Sequence, residues 1–505
     1  MGTFKDESDA ELPRISSGSI GLDLILGGGF DPERMYLYEG QPGTGKTTLA
    51  LQFLLEGVRR GERTLYITLS ETERELALVA QRHGWSLAGV DVFELVPSET
   101  TLDPSQELTI LQPSEMELSE TSQLIFEKVE ELNPTRIVID SLSELRLLAQ
   151  SALRYRRQVL ALKHFFSSRK STVILLDDLT AQQKDLQLHS IVHGVVLLEQ
   201  LAIDYGAERR RLRVVKMRGI PFAGGFHDFT IERGGLRVYP RLIAAEHHKD
   251  FAGDFVPSGN AELDALLGGG LERGTNALLI GAAGVGKSSI AVTYAITAAQ
   301  RGEHSMIFAF DEGRGTIRAR AKSLGLPFEE AVERGLIKLQ QIDPAELSPG
   351  EFAQLVRESV EREEARIVVI DSLNGYLNSM PDERFLVLQM HELLSYLSQL
   401  GVLSILVLAQ HGLVGPMETP VDISYLSDAV LMLRYFEYDG TVRRAMSVVK
   451  KRSGNHEHTI REFQLSHHGV RLGPPLKGFS GILSGTPIYT GDVTPLLADE
   501  DSRAG

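Results

Sequence analysis

The chain has 505 residues, 42% of them hydrophobic and 24% charged, with a net charge of −16 and no cysteine. That length exceeds what one core organises and calls for at least two domains, and the lack of cysteine excludes disulfides and thiolate metal sites. The acidic balance disfavours nucleic acid as a partner, whose phosphates attract basic surfaces, and no apolar run reaches the roughly 18 residues of a membrane span.

Residues 1–13 read as an acidic N-terminal arm without the apolar stretch of a secretory signal, and a cytoplasmic location is expected. A first domain is expected over 14–246. Ser17-Gly18, Leu22-Asp23 and Gly27-Gly28-Gly29 precede a short buried strand at 35–39. This strand runs into Gly40-Gln41-Pro42-Gly43-Thr44-Gly45-Lys46-Thr47, which fits G-x-x-x-x-G-K-[ST] at every fixed position. Helical spacing follows over 47–59, with Leu49, Phe53, Leu54 and Val58 on one side. A strand at 64–69, a helix at 71–83 and apolar runs at 137–139 and 173–176 come next. The stretches 195–198, 211–216 and 227–231 lack intervening helices and are expected to extend the sheet antiparallel. Continuous apolar strands alternating with helices predict an α/β fold, a mostly parallel sheet covered on both faces.

The pattern then repeats. Ser258-Gly259, Leu263-Asp264 and Gly268-Gly269-Gly270 precede Gly281-Ala282-Ala283-Gly284-Val285-Gly286-Lys287-Ser288, and the two loop lysines stand 287 − 46 = 241 positions apart. Apolar runs at 277–280, 306–310, 367–370 and 403–408, with a helix at 288–299, predict the same fold over 247–486. Arg136-Ile137-Val138-Ile139-Asp140 matches Arg366-Ile367-Val368-Val369-Ile370-Asp371, and Lys216-Met217-Arg218 matches Lys450-Lys451-Arg452. The boundary falls in the polar stretch 244–254, and 487–505 reads as a flexible acidic tail.

Each loop has a mechanism. Its backbone N–H groups wrap nucleotide phosphates, its lysine reaches the terminal phosphates and the next hydroxyl holds Mg²⁺. Gly43, Thr44, Gly45, Lys46, Thr47 and Thr48 are therefore assigned to nucleotide binding, as are Gly284, Val285, Gly286, Lys287, Ser288 and Ser289. Thr47 and Ser288 are metal ligands, supported by Asp140 and Asp371 at the ends of apolar runs. Glu71, Asp311 and Glu312 follow the next strand, where a carboxylate can orient an attacking water; a helix N-terminal acid is the rival reading. Lys216, Arg218 and Arg210, with Lys450, Arg452 and Arg444, are candidate cations for phosphate charge across a subunit boundary.

With these residues in view, the chain resembles the KaiC-like proteins of the RecA-like P-loop ATPases, from about residue 15 to about residue 484. The resemblance rests on SGSIGLDLILGGGF, GQPGTGKTTLALQFL, IVIDSL and KMRG in the first half. In the second it rests on VPSGNAELDALLGGGL, GAAGVGKSSIA, VVIDSLNGY and HTIREFQLS. It implies two tandem RecA-like domains, ATP and Mg²⁺, and a homohexameric double ring with ATP between subunits. In such a ring Lys216, Met217, Arg218, Arg444, Lys450, Lys451 and Arg452 would act on a neighbour's nucleotide. It further implies slow hydrolysis in the first ring and reversible γ-phosphate transfer to Ser/Thr hydroxyls in the second. Ser424 matches the family's acceptor serine, Tyr425 replaces the adjacent threonine, and Thr419 matches a third acceptor. The family's paired glutamates become Ser70-Glu71 and Asp311-Glu312 here. A KaiB-like regulatory protein is the partner that the resemblance implies. Two other readings stay open: a RecA-type DNA-dependent ATPase, and a nucleotide-dependent signalling scaffold with little turnover.

Overall fold

Strands that are apolar on every residue need both faces covered, and the chain meets that need twice. The computed structural model describes residues 13–95, 113–179, 186–202, 206–377, 383–410, 424–483 and 487–489. Packing divides it into two units, Met1–Asp204 with Glu208–Arg241, and Tyr205–Ala207 with Leu242–Gly505.

In the first unit the strands are β1 (Met35–Gly40), β2 (Thr64–Thr68), β3 (Val90–Glu94), β4 (Arg136–Asp140), β5 (Thr172–Asp178), β6 (Gly194–Leu201), β7 (Arg209–Met217), β8 (His227–Glu232) and β9 (Gly235–Tyr239). Its helices are α1 (Ile20–Ile25), α2 (Lys46–Arg59), α3 (Glu73–Arg82), α4 (Pro113–Leu132), α5 (Leu142–Ala149), α6 (Ala152–Ser167) and α7 (Leu186–Ile191). The sheet order is β3-β2-β4-β5-β1-β6-β7-β8-β9. Tyr36 and Tyr38 of β1 pack with Leu49 and Phe53 of α2 on one face. Met35 and Leu37 pack with Val159 and Leu162 of α6 on the other. Alternate residues of one strand thus serve two cores.

The second unit repeats this. A small pair, β10 (Phe255–Val256) and β11 (Leu271–Glu272), precedes the main strands. These are β12 (Asn276–Gly281), β13 (His304–Ala309), β14 (Ile337–Gln341), β15 (Ala365–Asp371), β16 (Leu403–Ala409), β17 (Ala429–Tyr438), β18 (Thr441–Lys451), β19 (Arg461–Ser466) and β20 (Gly469–Pro475). Their order, β14-β13-β15-β16-β12-β17-β18-β19-β20, is that of the first sheet. A last pair is β21 (Phe479–Ser480) with β22 (Ile488–Tyr489). The helices are α8 (Ala261–Leu266), α9 (Lys287–Gln300), α10 (Arg314–Ser323), α11 (Phe328–Glu333), α12 (Pro349–Glu361), α13 (Leu373–Leu377) and α14 (Glu383–Gln399). The fold is therefore two tandem α/β domains, each a mostly parallel sheet with helices on both faces and an antiparallel extension.

Three expectations need correction. The stretch 195–198 belongs to β6, which runs parallel to β1, because the six-residue α7 intervenes; fewer than two turns are too few for periodicity to register. The helix expected from 71 begins at Glu73, since Thr72 caps it and Glu75 closes a capping box. Arg136 does not match Arg366. Thr64 pairs with Arg136 and Ser305 with Ile367, while the register of β13 and β15 shifts between His304 and Ser305, so Arg366 is an extra residue there. Arg136 is fully buried, paired with Glu62 at 2.5 Å and donating to the carbonyls of Ser16 and Phe53 at 2.8 Å each. Those partners make its burial tolerable.

Candidate functional site

Each phosphate loop bridges the carboxyl end of a central strand and the N-terminus of the next helix, so its N–H groups and the helix dipole converge. Gly45 and Gly286 have φ of 100° and 118°, and a Cβ there would come within 2.7 Å of Ile231 and 2.8 Å of Leu465. Both conformation and space demand glycine. Lys46 Nζ donates to the carbonyls of Gly40 (2.8 Å) and Gln41 (2.9 Å) and pairs with Asp178 at 2.7 Å. Lys287 Nζ donates to the carbonyls of Gly281 (2.9 Å) and Ala282 (2.7 Å). Burial draws Lys287 down to about 8.

The strand-end aspartates lie beside the loop hydroxyls. Thr47 Oγ1 donates to Asp140 at 3.4 Å, and Tyr66 OH donates to the same carboxylate oxygen at 2.5 Å. Burial raises Asp140, and it pushes Asp371 up to about 6 despite the hydroxyl of Ser288. A hydroxyl and a carboxylate, all oxygen, suit a hard divalent cation such as Mg²⁺. Thr47 with Asp140, and Ser288 with Asp371, are the residues that would hold it. Among the described residues no cluster of three or more His, Asp and Glu forms a separate metal site.

The strand-following acids converge on the same edge. Leu69 N–H donates to the carbonyl of Asp140, and Phe310 N–H to that of Asp371, both at 2.7 Å. This tethers Glu71, Asp311 and Glu312 beside the aspartates. Glu71 precedes the Thr72 cap, outside the helix, so the dipole reading has less to offer there. Its backbone is held by the Thr68 hydroxyl, and burial first, then Asp140, raises its carboxyl. One oxygen of Glu71 and one of Glu312 are buried without a hydrogen-bond partner. Buried orphan acceptors of this kind call for a partner that the chain itself does not supply. The other Glu312 oxygen pairs with Arg320 at 2.6 Å, and Asp311 accepts from the Ser372 hydroxyl.

The basic residues divide into two places. Arg210 pairs with Gln200 and Arg444 with Tyr435, beyond the strand positions that flank Gly40 and Gly281. The Lys-x-Arg runs lie at the other end: Met217 pairs with Gly194, which pairs with Tyr36, four residues or about 13 Å before Gly40. Lys450 and Lys451 pair with Val430 and Ala429 in the same way. Lys216 donates to the carbonyls of His189 and Val192, and Arg218 to that of Ser190 at 2.6 Å. Arg452 donates to the carbonyl of Tyr425 at 2.7 Å. Not all assigned side chains face a ligand. Val285 lies in the second core and Met217 in the first, and Lys451 donates to the carbonyls of Leu267 and Gly270. Only their backbones remain for nucleotide. Thr44 donates to the carbonyl of Gln41 at 2.8 Å, while Thr48 and Ser289 are buried at the helix starts.

The matched bonds of Arg218 and Arg452 align Ser190 with Tyr425, hence His189 with Ser424. Ser424 opens a short 3₁₀ turn, Ser424–Leu426, and Thr419 lies outside the described residues. His193 likewise stands where the second unit has Asp428: Met35 N–H donates to His193 at 3.5 Å, Asn276 N–H to Asp428 at 2.9 Å. Burial, then the nearby Arg34, Lys163 and Arg218, lowers His193 to about 4. Because the folded value lies below the ordinary 6.5, the unfolded chain takes up a proton that the folded one refuses. Stability is therefore expected to fall as pH drops from 6.5 through 4. Thermal melts across that window should show a shallower loss in His193→Gln than in the unaltered chain.

Asp178, Gln200 and Tyr435 are neighbours of the loops that sequence reasoning missed. Asp178 did carry a signal, since it closes the Asp177-Asp178 pair that ends the apolar run 173–176.

The family described as ATPase: KaiC matches residues 15–243 and again 256–477. This chain belongs to the KaiC family of ATPases. The KaiC match repeats once in each unit and includes both phosphate loops. Among its relatives, the circadian clock protein KaiC3 of Synechocystis sp. is 26% identical over 495 residues, 96% of each chain. The circadian clock oscillator protein KaiC of Thermosynechococcus vestitus is 27% identical over 95% of this chain and 93% of its own. That of Synechococcus elongatus is 26% identical over 96% and 92%. Among the described residues of this chain, no helix is long and apolar enough to cross a membrane.

Proposed function

We propose that the protein is an Mg²⁺-dependent ATPase and Ser/Thr autokinase that works as a homohexameric double ring in the cytoplasm. The observation that carries this reading is the convergence, in each unit, of a phosphate loop, a hydroxyl–aspartate pair and a buried orphan glutamate oxygen. Loop N–H groups, Lys46 and Lys287 bind and orient the triphosphate. Mg²⁺, when bound, supplies charge neutralisation at the phosphate oxygens. Glu71 in the first domain and Glu312 in the second position the attacking water or hydroxyl and accept its proton.

The position of Lys216–Arg218 and Lys450–Arg452 supports nucleotide between subunits. Cations at the edge remote from their own loop serve a neighbour's phosphates. Transfer to protein is assigned to the second domain, because the position of Ser424 is taken in the first by His189, which is paired with Glu39 at 3.0 Å. Ser424 is the preferred acceptor, with Thr419 the second candidate and a KaiB-like protein the regulatory partner. Ser70, in place of a leading carboxylate, favours a second reading for the first ring, a nucleotide-holding scaffold with little turnover.

Intact-mass and peptide mass spectrometry after incubation with Mg·ATP test the proposal. A phosphate on Ser424, absent in Ser424→Ala, is expected, with native mass of a hexamer. An unmodified protein that nevertheless binds ATP replaces the autokinase with the scaffold.

A further inference from the structure

The two phosphate loops share backbone geometry but not the charge beside their lysines. In the first sheet Gly40 pairs with Asp178, and in the second Gly281 pairs with Ala409. These are the same place in the fold, the end of the strand next to the loop strand. Each is fastened by the helix that follows the metal-supporting aspartate. Ser143 Oγ accepts from the N–H of Asp178 at 3.2 Å, while Asn374 accepts from the N–H of Ala409 at 2.7 Å and donates to its carbonyl at 3.0 Å. The neighbouring Asp177 is buried and held by Arg146 at 2.6 Å. The strand end is thus built, and only the first carries a carboxylate.

That carboxylate lies 2.7 Å from Lys46 Nζ, with side-chain exposures of 8% for the lysine and 30% for the acid. A phosphate oxygen bound to this lysine competes with it. We propose that Asp178 stands in for the terminal phosphate at Lys46 and tilts the first domain toward the nucleoside diphosphate over the triphosphate. This rests on the reading that both loops bind adenine nucleotides. The β-phosphate of a diphosphate is cradled chiefly by loop N–H groups and leaves the Lys46–Asp178 pair in place. A γ-phosphate must displace Asp178 from Lys46 and then sit among Asp178, Asp140 and Glu71. The second domain presents Ala409 at that point and makes no such demand, so the two rings differ in product retention by one side chain.

The test is calorimetric titration of the full chain with Mg²⁺ and either ADP or the β,γ-imido analogue of ATP. Lys287→Ala silences the second site, and Asp178→Asn and Asp178→Ala are compared with Asp178. Both are expected to bind the analogue about fivefold more tightly while ADP affinity moves by less than about twofold, which is the upper size of a partly exposed ion pair. The reciprocal Ala409→Asp, in a Lys46→Ala chain, is expected to weaken the analogue about fivefold relative to ADP at the second site, which covers any failure of the Asp178 variants to fold. Parallel changes for both nucleotides, or none, overturn the inference and leave the nucleotide reading standing. Failure of the otherwise unaltered chain to bind either nucleotide overturns both.

Discussion

Lys287→Ala is expected to abolish incorporation of phosphate from γ-labelled ATP into the protein, a loss of at least about a thousandfold, while first-domain ATP turnover persists. The lysine is the buried cation of the second loop, folded onto the carbonyls of Gly281 and Ala282. Burial holds it at about 8, so a terminal phosphate that supplies negative charge also restores its full protonation. Alanine leaves the γ-phosphate without that contact in both ground and transition states. The first domain keeps its own lysine, hydroxyl and acid, and phosphate release into solution should continue. Label appearing on the variant at the unaltered rate would contradict the assignment of transfer to the second domain.

Glu71→Gln is expected to lower ATP hydrolysis by the first domain about 10²- to 10⁴-fold, measured as phosphate release in the Lys287→Ala chain. Ser70 leaves this strand end with a single carboxylate. The turn through Thr68 fixes its backbone, and one oxygen is buried without a partner. Glutamine preserves shape and burial but cannot accept the proton of an attacking water. In the second domain the proposed function gives the corresponding work to Glu312, because Asp311 is engaged by Ser372. Asp311→Asn is therefore expected to cost less than Glu312→Gln in phosphate transfer. Hydrolysis unchanged in Glu71→Gln would return the first domain to the scaffold reading.

Local chemistry made much of this legible. A glycine-lysine loop and an apolar run ending in Asp are set by neighbours within one element, so Lys46, Thr47, Asp140 and their counterparts could be named before any fold was known. The parallel sheet followed from strands lacking alternation. What escaped depended on contacts distant in sequence. Asp178 reaches Lys46 across 132 positions, through the pairing of β5 with β1. The direction of β6 was hidden because α7 is too short to show a period. The false match of Arg136 with Arg366 arose from one extra residue that only strand pairing exposes. Val285, Met217 and Lys451 sit within true motifs, yet a motif does not say which way each side chain turns.

The separation of grip from cation along each sheet has a kinetic corollary. In the proposed ring, a chain whose Lys-x-Arg run lies about 13 Å along the sheet from its own loop is half of two different catalysts and all of none. Specific activity then scales with encounter rather than with amount. It should fall on dilution below the threshold of the proposed assembly and saturate above it.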